Sequence, residues 1–285
     1  MITLKEKQNI VEKLRKIKLP EQRSDEWYKM RENMITASDF GSILGNSKYN
    51  SSKSVLKQKC GLGKKFTGNE YTRWGVKYEE VATEIYRIKN NTKVIEFGCL
   101  QHPKYNFLGA SPDGITPDGM MLEIKVPKIR VFKENDVPPH YYDQMQGQLE
   151  VCGLYECDFL QCKIEEYPSQ KSYLEDSNIE FKGAIIEYMD DNNELKFIYS
   201  KVNINEKDLN KWICGNKIKL NNKNLVCKNI DYWKLSKYCI DRVKRQDDWM
   251  EKSLPIFKDF WEKVLYYREN PDELNPKKKK LVLDI

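Results

Sequence analysis

Asp113, Glu123 and Lys125 are the residues of this chain whose types and spacing most suggest chemistry. They fall in SPDGITPDGMMLEIKVP, residues 111–127, with nine residues between the two acids and Lys125 two after Glu123. In a strand that spacing puts Glu123 and Lys125 on one face and Leu122, Ile124 and Val126 on the other. A carboxylate and a lysine alternating with aliphatic residues are costly if their face is dry. Phosphodiester cleavage accounts for the cost. Hard carboxylate oxygens hold divalent metal, and a positive group stands near the attacking water or the scissile phosphate. On that reading Asp113 and Glu123 hold Mg²⁺, with Mn²⁺ as a substitute, and Lys125 orients the water and helps to deprotonate it. The bare pattern also fits a surface hairpin that carries a Glu–Lys pair.

The elements that must position these residues can be read around them. The turn PDGITPDG predicts a hairpin between strands over 106–111 and 120–126. Upstream, Tyr71, Trp74, Tyr78, Val81, Ala82 and Ile85 recur at helical spacing and predict a helix over 71–89. Glu79 borders its apolar stripe beside Gly75, Ala82 and Tyr86, where a carboxylate can reach the hairpin as a further metal ligand. Glu80 falls towards solvent. A strand over 93–99 precedes the hairpin, and a helix over 141–152 and a strand over 157–164 follow it. Helix, three strands, helix, strand is the core order of the restriction-endonuclease-like fold. The fold class expected is therefore α/β, a mixed sheet flanked by helices.

Outside that core, residues 4–18 read as an amphipathic helix stopped by Pro20, and 25–31 as a second helix. Thr36 or Ser38 caps a third, with Asp39 in its first turn. Residues 183–188 and 195–202 suggest another hairpin, and 205–219 and 230–267 suggest helices, the latter broken at Pro255. Trp233, Trp249, Phe257, Phe260 and Trp261 then recur at helical intervals, as packing residues do. The organisation expected is an N-terminal helix over 1–22, a core over 23–203 and a mainly helical extension over 204–285 packed on it.

Bulk properties restrict the class without naming it. The chain has 285 residues, 40% of them apolar, with six Trp and seventeen Tyr, which argues against disorder. A net charge of +6 fits a polyanionic partner without requiring one. The first residues lack the apolar stretch of a signal peptide, and no run of 18 apolar residues suggests a membrane span. Eight cysteines without a CxxC pair read as reduced thiols in an intracellular protein, in cytoplasm or nucleus. Four of them holding an iron–sulfur cluster is the rarer alternative, for which local ligand spacing is missing. The Lys277–Lys280 run is either a solvated tail, a contact to DNA backbone or a nuclear address.

Five separated stretches resemble one family in the same order. WYKMRENMITASDFGSILG (27–45) looks like its opening block, an Arg followed shortly by I-T-A-S. GVKYEE (75–80) resembles its G-x-x-x-E block; SPDG and LEIK follow, and YYDQMQGQLEVCG (141–153) resembles its Tyr- and Gln-rich helix. The chain thus resembles the lambda-exonuclease or YqaJ-like viral recombinase nucleases of the PD-(D/E)xK superfamily over about residues 23–165.

The resemblance implies a two-metal, Mg²⁺-dependent nuclease that degrades double-stranded DNA from a 5′ end in recombination, repair or viral genome processing. Glu79, Asp113 and Glu123 fall on the family's metal carboxylates and Lys125 on its catalytic lysine. Gln144 and Tyr141 match positions flanking the site, and Arg31, Ser38 and Ser111 match positions that bind a 5′-terminal phosphate. Ser38 is otherwise a helix cap, Ser111 a turn residue and Arg31 a surface salt-bridge partner. The resemblance also implies DNA ends as partner, a single-strand annealing protein as a further one, and a homotrimer. Two other readings stay open: an endonuclease or nickase of the same superfamily, and a non-catalytic DNA-binding recombination protein.

Overall fold

The computed structural model describes residues 2–20, 24–63 and 68–274. In chain order the N-terminal part holds α1 (Leu4–Arg15), α2 (Asp25–Glu32), β1 (Ile35–Thr36), α3 (Ala37–Ile43), α4 (Ser52–Lys59) and α5 (Glu70–Asn90). Then follow β2 (Leu100–Gln101), β3 (Leu108–Ala110), β4 (Gly114–Ile115), β5 (Met120–Lys125), α6 (Pro139–Cys152) and β6 (Glu156–Tyr167). The C-terminal part holds α7 (Gln170–Glu175), β7 (Lys182–Met189), β8 (Leu195–Tyr199), α8 (Glu206–Asn222), β9 (Val226–Lys244), α9 (Trp249–Glu269) and α10 (Pro271–Leu274).

The main sheet has the strand order β4-β5-β6-β9-β7-β8, with β5 and β6 parallel and the other pairs antiparallel. A small second sheet has the order β1-β3-β2. Helix α5 is capped by Asn69, whose side chain accepts from the amides of Tyr71 and Thr72. Its stripe of Tyr78, Val81, Ala82 and Ile85 packs on Leu122, Ile124, Leu160 and Cys162 on one face of the main sheet. On the other face, Met145 and Leu149 of α6 join Phe40 of α3, Phe159 of β6 and Phe257 of α9. The expected fold class, a mixed sheet flanked by helices with a C-terminal helix, is what the chain adopts.

Two glycines set how closely α3 and α6 pack. A methyl group on Gly147 would lie 2.2 Å from the Phe40 ring, and one on Gly41 would lie 2.7 Å from His140. Each helix therefore seats a bulky neighbour directly on the backbone of the other. This packing brings the start of α3, with Ser38, alongside the start of α6, with Gln144.

Three expectations need correction. The strand over 106–111 is not the hairpin partner of β5: β3 pairs with β1 and β2, and the hairpin is β4 with β5. Pro112 and Gly114 break the run between β3 and β4, so the chain changes sheets at Asp113. Residues 93–99 form no strand beyond a single bridge from Ile95 to Ile115.

The third correction concerns 230–267. Val226–Lys244 is a 19-residue strand that lies between β6 and β7. Cys239, Asp241 and Val243 are buried at alternate positions, and a bulge near Ser236 shifts the register. Trp233 is thus a buried strand residue. The boundary expected at 203 does not mark off an extension, because β9 completes the sheet of the preceding segment. Helix α9 contains Pro255 in its second turn and continues through it to Glu269. The Lys277–Lys280 run lies outside the described residues, among which no helix is long and apolar enough to cross a membrane.

Candidate active site

Asp113 leaves β3 on the sheet-changing loop, and Glu123 and Lys125 project from β5 away from the α5 core. The Asp113 carboxylate accepts from the Ile124 amide at 2.6 Å, which ties the loop to the strand. Glu123 is fully buried. One of its oxygens accepts from the Lys125 ammonium and from Gln144 Nε2 at 2.9 Å. The other accepts from Gln148 Nε2 at 2.8 Å. Lys125 Nζ lies 5.0 Å over the Tyr141 ring, which carries its charge on an apolar face. The expected shared face of Glu123 and Lys125 is present, with Leu122, Ile124 and Val126 in the core opposite.

Burial, and then the negative charges of Glu123 and Glu79, push the Asp113 carboxyl well above its usual range, while Lys125 opposes them. Burial alone would lower Lys125; Glu123 and Asp113 outweigh it and raise the ammonium well above its ordinary value. The three acids therefore repel one another within a partly dry space, and one ammonium sits among them.

Glu79 lies at the junction of two clefts. The first, about 370 Å³, is lined by Trp27, Arg31, Ser38, Ser111, Asp113, Gln144 and Gln148 among others. Here Arg31 lies 4.6 Å over the Trp27 ring and donates to Ser111 Oγ and Thr36 Oγ1, each at 3.3 Å. Thr36 Oγ1 lies 3.1 Å from Ser38 Oγ. Thr36, not Ser38, caps α3, and Asp39 accepts from its amide and hydroxyl at 3.2 and 3.0 Å. The second cleft, about 750 Å³, is lined by Tyr49, Tyr71, Lys125, Lys128, Arg130 and Tyr141 among others. Arg130 is anchored there by donating to Gln161 Oε1 at 2.6 Å.

The structure thus brings Asp113, Glu123, Lys125, Gln144 and Glu79 together, and Arg31, Ser38 and Ser111 into the adjoining cleft. Tyr141 stands apart from the Arg31 group, in the second cleft beneath Lys125. Glu80 is partly covered and paired with Arg87 at 2.8 Å, so it does not simply face solvent. Gln148 was not singled out from the sequence. Its signal was available, because it stands one helical turn after Gln144 and so shares its face.

Among the described residues, no three His, Cys, Asp or Glu side chains stand in a closed metal-holding arrangement. The cysteines are dispersed: Cys157 and Cys162, five apart on β6, face opposite sides of the sheet. Burial pushes the thiols of Cys152 and Cys162 up to about 12. Nothing in this distribution brings four thiols together.

Comparison with known proteins agrees with this architecture. The chain is 33% identical over 306 aligned residues to the uncharacterized protein R354 of Acanthamoeba polyphaga mimivirus, with 92% of this chain and 56% of that protein covered. It is 28% identical over 187 residues to a protein of African swine fever virus, covering 53% of each. The chain thus spans about half the length of these curated relatives. Among solved structures, the alkaline exonuclease LHK-Exo of Laribacter hongkongensis, also solved in complex with dAMP, superposes with a TM-score of 0.54. That match covers 88% of this chain and 97% of the other at 20% identity, which supports a shared fold. The family model of the YqaJ-like viral recombinase domain matches residues 26–155, the span that carries Arg31, Ser38, Glu79, Ser111, Asp113, Glu123, Lys125, Tyr141, Gln144 and Gln148.

Proposed function

We propose that this protein is a metal-dependent deoxyribonuclease that degrades linear double-stranded DNA from a 5′ end. The observation that carries the reading is the convergence of Glu79, Asp113 and Glu123 with Lys125 beside a cleft that Arg31, Ser38 and Ser111 also line. The alkaline exonuclease fold of the structural neighbour adds to it.

The donor set fits a hard divalent cation. The three acids supply oxygen ligands, and a cation among them would favour the ionised form of the Asp113 carboxyl, which burial first and then Glu123 and Glu79 disfavour. A bound cation would lower the pKa of water and neutralise charge on the scissile phosphate. Mg²⁺ is the ion proposed, with Mn²⁺ as a substitute and two ions per site. Glu79, Asp113 and Glu123 would hold them. Gln144 keeps one Glu123 oxygen directed by its 2.9 Å bond. Lys125, held as an ammonium over Tyr141 and against Glu123, would orient the attacking water and stabilise the charge that develops as it attacks. Arg31 offers a planar pair of donors to a terminal phosphate, and the Ser38 and Ser111 hydroxyls add further ones. The Lys125, Lys128 and Arg130 charges of the second cleft suit the duplex backbone, where contacts need not read sequence.

Time courses on a linear duplex with 5′-phosphate or 5′-hydroxyl ends, in Mg²⁺ and in excess chelator, test the reading. Cleavage should require the metal and run faster from phosphorylated ends. Robust cleavage in chelator would overturn the metal mechanism, and nicking of closed plasmid at the same rate would favour an endonuclease. A single-strand annealing partner, trimeric assembly and action inside cells belong to the same proposal.

A further inference from the structure

We propose that Gln148 is a positioning residue that locks the two acid-bearing segments together and so sets the affinity of the site for a divalent cation; this rests on the metal-dependent reading above. Its amide is 1% exposed, yet it reaches the wall of the first cleft. Nε2 donates to Glu123 Oε2 at 2.8 Å and lies 3.4 Å from the carbonyl oxygen of Ser111. Ser111 is two residues before Asp113, and Asp113 itself accepts from the amide of Ile124, the neighbour of Glu123. Two cross-links therefore join the loop of Asp113 to the strand of Glu123. One is made by Asp113 and the other by Gln148 from a third element, α6.

The orientation of the amide follows from its partners. Both neighbours of Nε2 are oxygens that can only accept, so the NH₂ group must face them and Oε1 must face away. Oε1 is buried and has no hydrogen-bond partner among the described residues. A buried acceptor left open at a cleft wall suits a donor brought in by a ligand, such as the water carried by a hydrated cation. Among the described residues, Gln144, one turn earlier, bonds the other Glu123 oxygen and makes no bond to the Asp113 loop. The bridging role thus falls to Gln148. Groups that orient metal-binding side chains through such bonds commonly change affinity by about 10- to 100-fold when removed.

Gln146 provides the control. It is buried to the same degree on the same helix, but it donates to the Lys244 carbonyl and accepts from the Gln246 amide, away from the acids. Direct Mn²⁺ binding, measured by calorimetry without DNA on the full chain, should compare wild type, Gln148→Met, Gln146→Met and Glu123→Gln. Gln148→Met should weaken Mn²⁺ binding by about tenfold or more. Gln146→Met should leave it within about twofold while losing similar thermal stability. Unchanged binding in Gln148→Met, or equal weakening in Gln146→Met, would overturn the inference. Should Gln148→Met fail to fold, Gln148→Leu and Gln148→Glu serve in its place, since each removes the NH₂ donor. If wild type and Glu123→Gln bind Mn²⁺ alike, the metal-site reading itself has failed and this inference falls with it.

Discussion

Lys77 and Lys125 each stand among three acidic side chains and over a tyrosine ring, but the two clusters are built differently. Lys77 Nζ reaches all three of its partners directly: Glu166 at 2.7 Å, Glu187 at 3.0 Å and Asp231 at 2.6 Å. The Tyr78 hydroxyl donates to Glu166, and the Tyr199 hydroxyl donates to the carbonyl of Lys77. Neither cleft described above includes these residues. Lys125 instead pairs with Glu123, while Asp113 takes a backbone amide and Glu79 lines both clefts. One cluster spends its charge on itself; the other keeps oxygens facing an opening. A count of acids near a lysine would not separate them. Helix α5 contributes to both, since Lys77 and Glu79 are two residues apart and so roughly 200° round its axis.

The comparison can be broken most directly at the open cluster. Glu123→Gln, Asp113→Asn and Lys125→Ala should each lower cleavage of linear duplex by far more than tenfold, with a folded protein by circular dichroism. A tenfold loss is about 1.4 kcal/mol in barrier, and any of the three that keeps more than about a tenth of wild-type turnover counts against its assigned role. Glu79→Gln should cost the same or less.

The closed cluster should fail in the opposite sense. Lys77→Met strands three acids around a buried site, and loss of one partner from such a set costs about 3 kcal/mol or more. For a chain of this size that is roughly 10 °C in Tm. Cleavage per folded molecule should stay near wild type, and a selective loss of turnover with unchanged Tm would show that the cluster is not closed.

Arg31 sharpens the contrast within the open region. Arg31→Ala should slow 5′-phosphorylated duplex by roughly ten- to a hundredfold, as expected for about 1.5–3 kcal/mol of charge-assisted bonds, and should barely change 5′-hydroxyl duplex. Equal slowing of both would make Arg31 a general DNA contact or a structural residue.

The smallest effect concerns pH. One ammonium shared by three acids cannot fully compensate each of them. Burial first, then Glu187 and Glu166, raise the Asp231 carboxyl to about 6 against the pull of Lys77, and Asn229 donates to it at 2.6 Å. A carboxyl whose folded pKa lies above its unfolded value stabilises fully at low pH and loses that contribution as pH rises through the folded value. Wild type should therefore lose stability relative to Asp231→Asn between about pH 4 and 6. Melting curves across that interval check it, and a constant difference would mean that Asp231 is charged throughout.

Much of the site was legible because it depends on local rules. The two-residue period of a strand sets Glu123 and Lys125 on one face and Leu122, Ile124 and Val126 on the other. The 3.6-residue period sets Glu79 beside a buried stripe. Those periods follow from backbone geometry and hold whatever the neighbours are. The same reasoning failed at 230–244, where the spacing of aromatics fits a helix as readily as a strand. What decides is pairing with β6 and β7, segments far away in sequence that only the folded chain brings together. It failed again at 106–111, because a short apolar run carries no label for the sheet it will join.

By itself, then, the sequence determined the identity of the charged residues, the faces they occupy and the helix that carries Glu79. Tertiary structure decided which of them meet. Gly41 and Gly147 let α3 and α6 approach, the pairing of β1 with β3 sets Ser111 near Arg31, and α6 brings Gln148 against Glu123. It also decided that Lys77 pairs directly with all three of its acids while Lys125 stands at an opening, a difference made by long-range packing, on which the spacing of residues along the chain has no hold.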